Sequence, residues 1–215
     1  LGITNLSMSL FERLLLTCQK KGWTQAYGML EEQGRMHQDI QEFPSRRFYG
    51  GRLSVANQQQ TDSVRIFQTD ARDTVEQLLA KRRLFLVPSP RTAHRGKTHV
   101  AEARYVAEFV EHIRAAYARS GRPFDPATTL GVITPFRAQI AEIYSHLPDD
   151  LQDVTVDTVE RYQGGQRDII LMSFAVQHPR QVSAVEALSD DQAVDRKLNV
   201  AMTRAREHLV LFADW

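Results

Sequence analysis

At 215 residues, 42% of them hydrophobic and 25% charged, the sequence has the size and balance of one large soluble domain, or of a domain with an insertion. A net charge of +1 rules out bulk attraction to polyanions, so any polyanion site must come from local placement of the 27 basic residues. The single Cys18 excludes an internal disulfide. No apolar run reaches membrane-spanning length, no signal-peptide pattern opens the chain, and the seven histidines lack metal-ligand spacing. The expectation is a soluble, cytoplasmic protein with no membrane partner and no metal site of its own.

In chain order, Ser9-Leu-Phe-Glu12 is a capping box that opens a helix. Leu10, Phe11, Leu14 and Leu15 form its apolar stripe, and Lys20-Lys21-Gly22 is its stop signal. A chain that starts almost on a helix, with no strand before it, suggests a piece of something longer. The segment Gln33–Leu53 mixes charge, aromatics and glycine without clean periodicity, and spacing alone makes Arg35 a surface arginine. Residues 54–83 are polar and read as an irregular excursion containing one short strand candidate, Val64–Phe67.

Leu84–Val87 reads as a buried strand. Val100, Ala103, Val106, Val110, Ile113 and Tyr117 then share one face of a long helix that ends at Gly121 and Pro123. Gly96-Lys97-Thr98 between them has the strand–loop–helix context of a phosphate-cradling P-loop. However, position 91, where that loop needs its first glycine, is arginine, and Pro88 and Pro90 remove backbone donors. A self-contained phosphotransferase built on Lys97 therefore stands as a minor alternative.

Leu130–Ile133 is a further strand, and Thr134-Pro135 reads as N-cap and first residue of the next helix. Val154–Val156 and Ile169–Phe174 are strand candidates, with Gly164-Gly165 between them allowing a tight turn; residues 177–195 read as loop. The stretch from Arg196 to Phe212 reads as an amphipathic helix running into an apolar strand, with Leu198, Met202 and Ala205 on the helical stripe and Arg204 and Arg206 off it. Spacing alone favours a solvated face for those arginines. Strands alternating with helices predict an α/β fold with a mainly parallel sheet.

Four blocks in order carry a family resemblance. They are Ser7-Met-Ser-Leu-Phe-Glu-Arg-Leu14 with Gln33-Gly-Arg-Met-His-Gln38 and Phe43-Pro-Ser45, then Gly131–Gln139, then Val156–Asp168, then Arg196–Arg206. Together they resemble the second RecA-like motor domain of superfamily 1 helicases, in the branch of the nonsense-mediated-decay RNA helicase and related DNA helicases. The resemblance covers residues 1–215 as a single motor domain lacking its own P-loop, with the first motor domain absent from this chain.

The resemblance implies that ATP and Mg²⁺ sit in a cleft between two such domains and are bound mainly by the missing first one. Arg35 and Arg204 would then be arginine fingers. Gln163, Gly164, Gln166 and Arg137 would face the nucleotide, and Thr134, Pro135, Val156 and Thr158 would meet single-stranded DNA or RNA. The partners implied are the first motor domain of the same polypeptide and the nucleic acid; the isolated chain is expected to be inactive. Two departures stand out: the family's adenine-stacking tyrosine is Gly34, and its ribose-binding glutamate is Gln166. Both imply looser nucleotide selectivity. A non-catalytic nucleic-acid-binding or regulatory module with the same fold is the alternative function.

Overall fold

The computed structural model describes residues 9–62, 73–90, 96–162, 165–178, 180–182, 186, 188 and 195–214. The chain divides into two compact units, Leu1–Glu31 and Glu32–Trp215. In the first, helix α1 (Leu10–Lys20) starts where the capping box predicts, with the Glu12 N–H donating to Ser9 Oγ at 3.1 Å. Leu10, Phe11 and Leu14 of its stripe stand exposed.

The second unit is built on two short strands and a five-stranded sheet. β1 (Glu32–Gln33) pairs in parallel with β2 (Ser54–Val55), and α2 (Gln38–Phe48) runs between them. Then come α3 (Gln59–Asp62), α4 (Thr74–Lys81), β3 (Leu84–Pro88), α5 (Val100–Arg119), β4 (Leu130–Ile133), α6 (Arg137–His146), β5 (Thr155–Asp157), β6 (Arg167–Ser173), α7 (Arg196–Met202) and β7 (Ala205–Ala213). The large sheet has the order β3-β7-β6-β4-β5 and every pairing in it is parallel.

Both faces of this sheet are covered, which is why its strands read as nearly continuous apolar runs. On one face Leu130, Val132, Ile169, Leu171, Val210 and Phe212 pack with α4, α5 and α6, and Phe109 meets Phe212 edge-on at 5.0 Å. On the other, Ile133, Ile170, Met172 and Leu209 pack with Ile40 of α2 and Ala201 and Met202 of α7. The alternation follows the two-residue period of a strand.

The sequence reading needs four corrections. Residues 74–81 are a helix, not part of an irregular excursion: Asp73 accepts from the Glu76 N–H at 2.9 Å, and Leu79 is fully buried. The helix after β4 starts at Arg137 rather than Pro135, because the Thr134 N–H donates to the Asp157 carbonyl and extends the sheet by one bond. Helix α7 stops at Met202, which puts Arg204 in a turn and Ala205 and Arg206 on β7. The mixed segment 33–53 contains α2. The strand candidate at 64–67, most of the 183–194 loop, and Gln163 and Gly164 lie outside the described residues.

Candidate functional site

The turn between α7 and β7 brings Arg204 to the edge of the sheet where strands β6 and β7 begin. Its Nε donates to the Val200 carbonyl at 3.0 Å and its Nη1 to the Gly165 carbonyl at 3.3 Å, so helix α7 and the β5–β6 connection both hold the side chain. Arg35 reaches the same place from the loop before α2. Its Nε donates to Gln166 Oε1 at 3.0 Å and its Nη1 to the Thr203 carbonyl at 2.8 Å.

Every one of these acceptors is neutral. Among the described residues neither guanidinium has a carboxylate partner. Burial and then the neighbouring Arg35 charge push the pKa of Arg204 down. Two guanidiniums held close without an anion form a site that a phosphate would relieve, and planar forked donors suit phosphate oxygens.

A short chain of contacts fixes Gln166 and Gly165. Tyr162 Oη donates to the Thr155 carbonyl at 2.6 Å, and the Gly165 N–H donates to the Tyr162 carbonyl. Arg167 lies over the Tyr162 ring, and its Nη2 donates to Thr155 Oγ1 at 3.1 Å. Gly131 gives the room for this: a Cβ there would intrude on the Tyr162 hydroxyl and come within 3.0 Å of Arg167 Cγ. Beside Arg35 lies a polar cavity of about 550 Å³ whose walls include Gly34, Asn57, Gln58, Gln59 and Arg206.

The remaining sequence-derived residues lie at the other edge of the sheet, where β4, β5 and β6 end. Thr134 is fully buried, and its Oγ1 has no hydrogen-bond partner among the described residues. Pro135 is exposed beside it, and the Thr158 N–H donates to Asp157 Oδ1 at 2.7 Å. Thr134 and Pro135 line an apolar groove of about 470 Å³ with Val159, Phe174 and Val176.

Val156 offers this edge neither side chain nor N–H: it is buried in the core and its N–H donates to Tyr144 Oη at 3.1 Å. Arg137, grouped from sequence with Gln166, is instead the exposed first residue of α6 on this edge. From the register of β6 with β4 and β7, about seven strand positions, roughly 20 Å, separate Arg204 from Thr134. Sequence reasoning missed Arg167, Tyr162 and Gly131; a lone glycine inside an apolar strand was the available signal.

A parallel sheet covered by helices on both faces, with this strand order and helix placement, makes the domain an α/β domain of the RecA-like type. The chain belongs to the AAA domain family, whose model matches residues 6–215, and within it to the C-terminal domains of superfamily 1 helicases of the nonsense-mediated-decay and DNA2 branch. It is 29% identical to the DNA polymerase alpha-associated DNA helicase A of Saccharomyces cerevisiae over 222 residues, which cover 97% of this chain and 30% of that protein. It is 27% identical to Helicase sen1 of Schizosaccharomyces pombe, over 98% of this chain and 12% of that protein. To the Regulator of nonsense transcripts 1 homolog of Drosophila melanogaster it is 29% identical, over 96% of this chain and 16% of that protein. The chain thus spans less than a third of the length of these curated relatives.

Proposed function

We propose that this chain is the second motor half of an ATP-dependent helicase acting on single-stranded DNA or RNA. The observation that carries the reading is the Arg35–Arg204 pair, two partly buried guanidiniums bonded only to neutral acceptors. In this reading both arginines point across a cleft to the triphosphate bound by a first motor domain, and they neutralise charge as the γ-phosphoryl group departs. Gln166 faces the ribose side; Gln163 and Gly164, expected from sequence to join it, lie outside the described residues. A side-chain amide there both donates to and accepts from hydroxyls, where a carboxylate would only accept.

The donor chemistry of this edge fits the phosphates of a nucleotide. In this reading Mg²⁺ is held mainly by the first domain. Thr134, Pro135 and Thr158 belong to the nucleic-acid track at the opposite edge. The Thr134 and Thr158 N–H groups are taken by Asp157, so contact there falls to the partly exposed Thr158 side chain and the exposed Pro135 ring, neither of which reads sequence. Val156 supports that track from the core, and Arg137 is positioned to contribute charge to the track rather than to the nucleotide.

The test is ATP hydrolysis by this chain alone and by the full-length protein, each with and without single-stranded nucleic acid. The expected result is no turnover by the chain alone and stimulated turnover by the full protein. Arg204→Ala should reduce that turnover about 10³-fold or more, as loss of an arginine finger does. Unchanged turnover in Arg204→Ala would sink the reading.

A further inference from the structure

Glu102 takes no part in either site described above, yet it is fully buried in the first turn of α5. Its Oε1 accepts from Ser173 Oγ at 2.7 Å and from the Ala175 N–H at 2.8 Å, and its Oε2 accepts from Ser89 Oγ at 2.5 Å. Ser173 Oγ in turn accepts from Gln139 Nε2 at 3.1 Å, and Gln139 Oε1 accepts from the His99 N–H at 2.7 Å. One carboxylate thereby ties together the residue after β3, the last residue of β6, the chain just beyond it, and the first turns of α5 and α6. All of these lie at the sheet edge that carries Thr134 and Pro135.

Burial pushes the Glu102 pKa up, while the Ser89, Ser173 and Ala175 donors hold it down. An acid kept in the interior loses its hydration unless its oxygens are bonded, as they are here. One of its donors, Ala175, has an unusual backbone. It has φ +51°, the only positive φ of a non-glycine among the described residues, and it is fully buried. Left-handed backbone disfavours a residue with a Cβ unless its surroundings impose it. Here the Ala175 N–H is bonded to the Glu102 carboxylate. The neighbours on either side, Phe174 and Val176, form the wall of the apolar groove facing Thr134 and Pro135.

We infer that Glu102 is a positioning residue for nucleic-acid binding: it holds Ala175 in the left-handed conformation and so sets the Phe174–Val176 wall opposite Thr134 and Pro135. The inference rests on reading that edge as the nucleic-acid track. It concerns grip alone and predicts no effect on the nucleotide site, about 20 Å away along the strands.

The experiment measures binding of a fluorescein-labelled oligothymidylate or oligouridylate to the full-length protein by anisotropy, with the ATP KM as a second readout. Glu102→Ala removes the acceptor and should weaken binding about tenfold. Glu102→Gln keeps an acceptor but loses the charge that strengthens it, and should weaken binding roughly threefold. The ATP KM should stay within about twofold in both.

Adding Ala175→Gly should return either variant to near wild-type binding, because glycine reaches positive φ without help. A residue that only stabilises the fold would not be rescued in this way. Should Glu102→Ala fail to fold, the Glu102→Gln pair decides alone. Failure of Ala175→Gly to restore binding, or no loss of binding in either variant, overturns the inference. A wild-type protein that hydrolyses ATP but binds neither oligonucleotide overturns the track reading itself.

Discussion

Gly34 shows how one residue can change what a site selects. It borders the cavity beside Arg35, its φ is not in the left-handed region, and a Cβ built on it meets nothing within 4 Å. A side chain can therefore start from this position without backbone strain or a clash at Cβ. Gly34→Tyr should offer a base a stacking surface, worth about 1–3 kcal/mol per base. The KM for ATP should then fall about fivefold or more, with the four nucleotides further apart in KM than in the native protein. Steady-state kinetics with all four on both proteins checks this, and an unchanged KM would refute it. The grouping of these residues came from the family resemblance, not from spacing, and the bonds among them were not legible at all. Arg35 and Gln166 are 131 positions apart, and no periodicity links them. Only the all-parallel sheet, with α2 and α7 on one face, brings them to one turn.

Helices and strands were readable where apolar period and capping chemistry agreed, as in α1, α5, β3 and β4. They were hidden where composition worked against the pattern. α2 is mostly polar and carries Pro44 inside it, so its buried face of Ile40, Gln41, Pro44 and Ser45 does not look like a stripe. α4 is short, and its Asp73-to-Glu76 cap sits at the end of a polar stretch that masks it.

The start of α2 also gives a pH dependence. His37 is buried at its N-cap, where Nδ1 accepts from the Asp39 N–H at 3.1 Å. Burial, then Arg83, lowers its pKa below the ordinary 6.5. The unfolded chain therefore binds a proton first as the pH falls. Stability from this residue is complete above pH 6.5 and is lost as the pH drops through the window below it. The loss should reach about 1 kcal/mol, the scale of a helix cap. His37→Asn keeps a capping acceptor that does not titrate, so its thermal unfolding midpoint should fall less than the wild type's between pH 7 and 5. Parallel curves for the two proteins would refute the assignment.

For the whole molecule, sheet topology separates the two readings of the phosphate chemistry. β3 is an edge strand, and Lys97 lies exposed two residues before His99, whose backbone N–H bonds to Gln139 at the edge where the strands end. The arginine pair lies at the edge where β6 and β7 begin. A phosphotransferase centred on Lys97 would keep its cation roughly a sheet's length away from both arginines. Lys97→Ala in the full-length protein should leave ATP turnover within about twofold of the wild type. Loss of turnover there, with Arg204→Ala active, would reverse the reading.

The parallel sheet has a mechanical consequence. A close-packed core with helices on both faces does not bend easily, and here it holds the arginine pair at one end of its strands and an apolar groove at the other. Such a body acts as a lever whose arm is the strand length. Over an arm of roughly 20 Å, a tilt of about 10° at the arginine end carries the far end about 3.5 Å, close to the roughly 3.4 Å of helix axis per charge of each strand in a duplex.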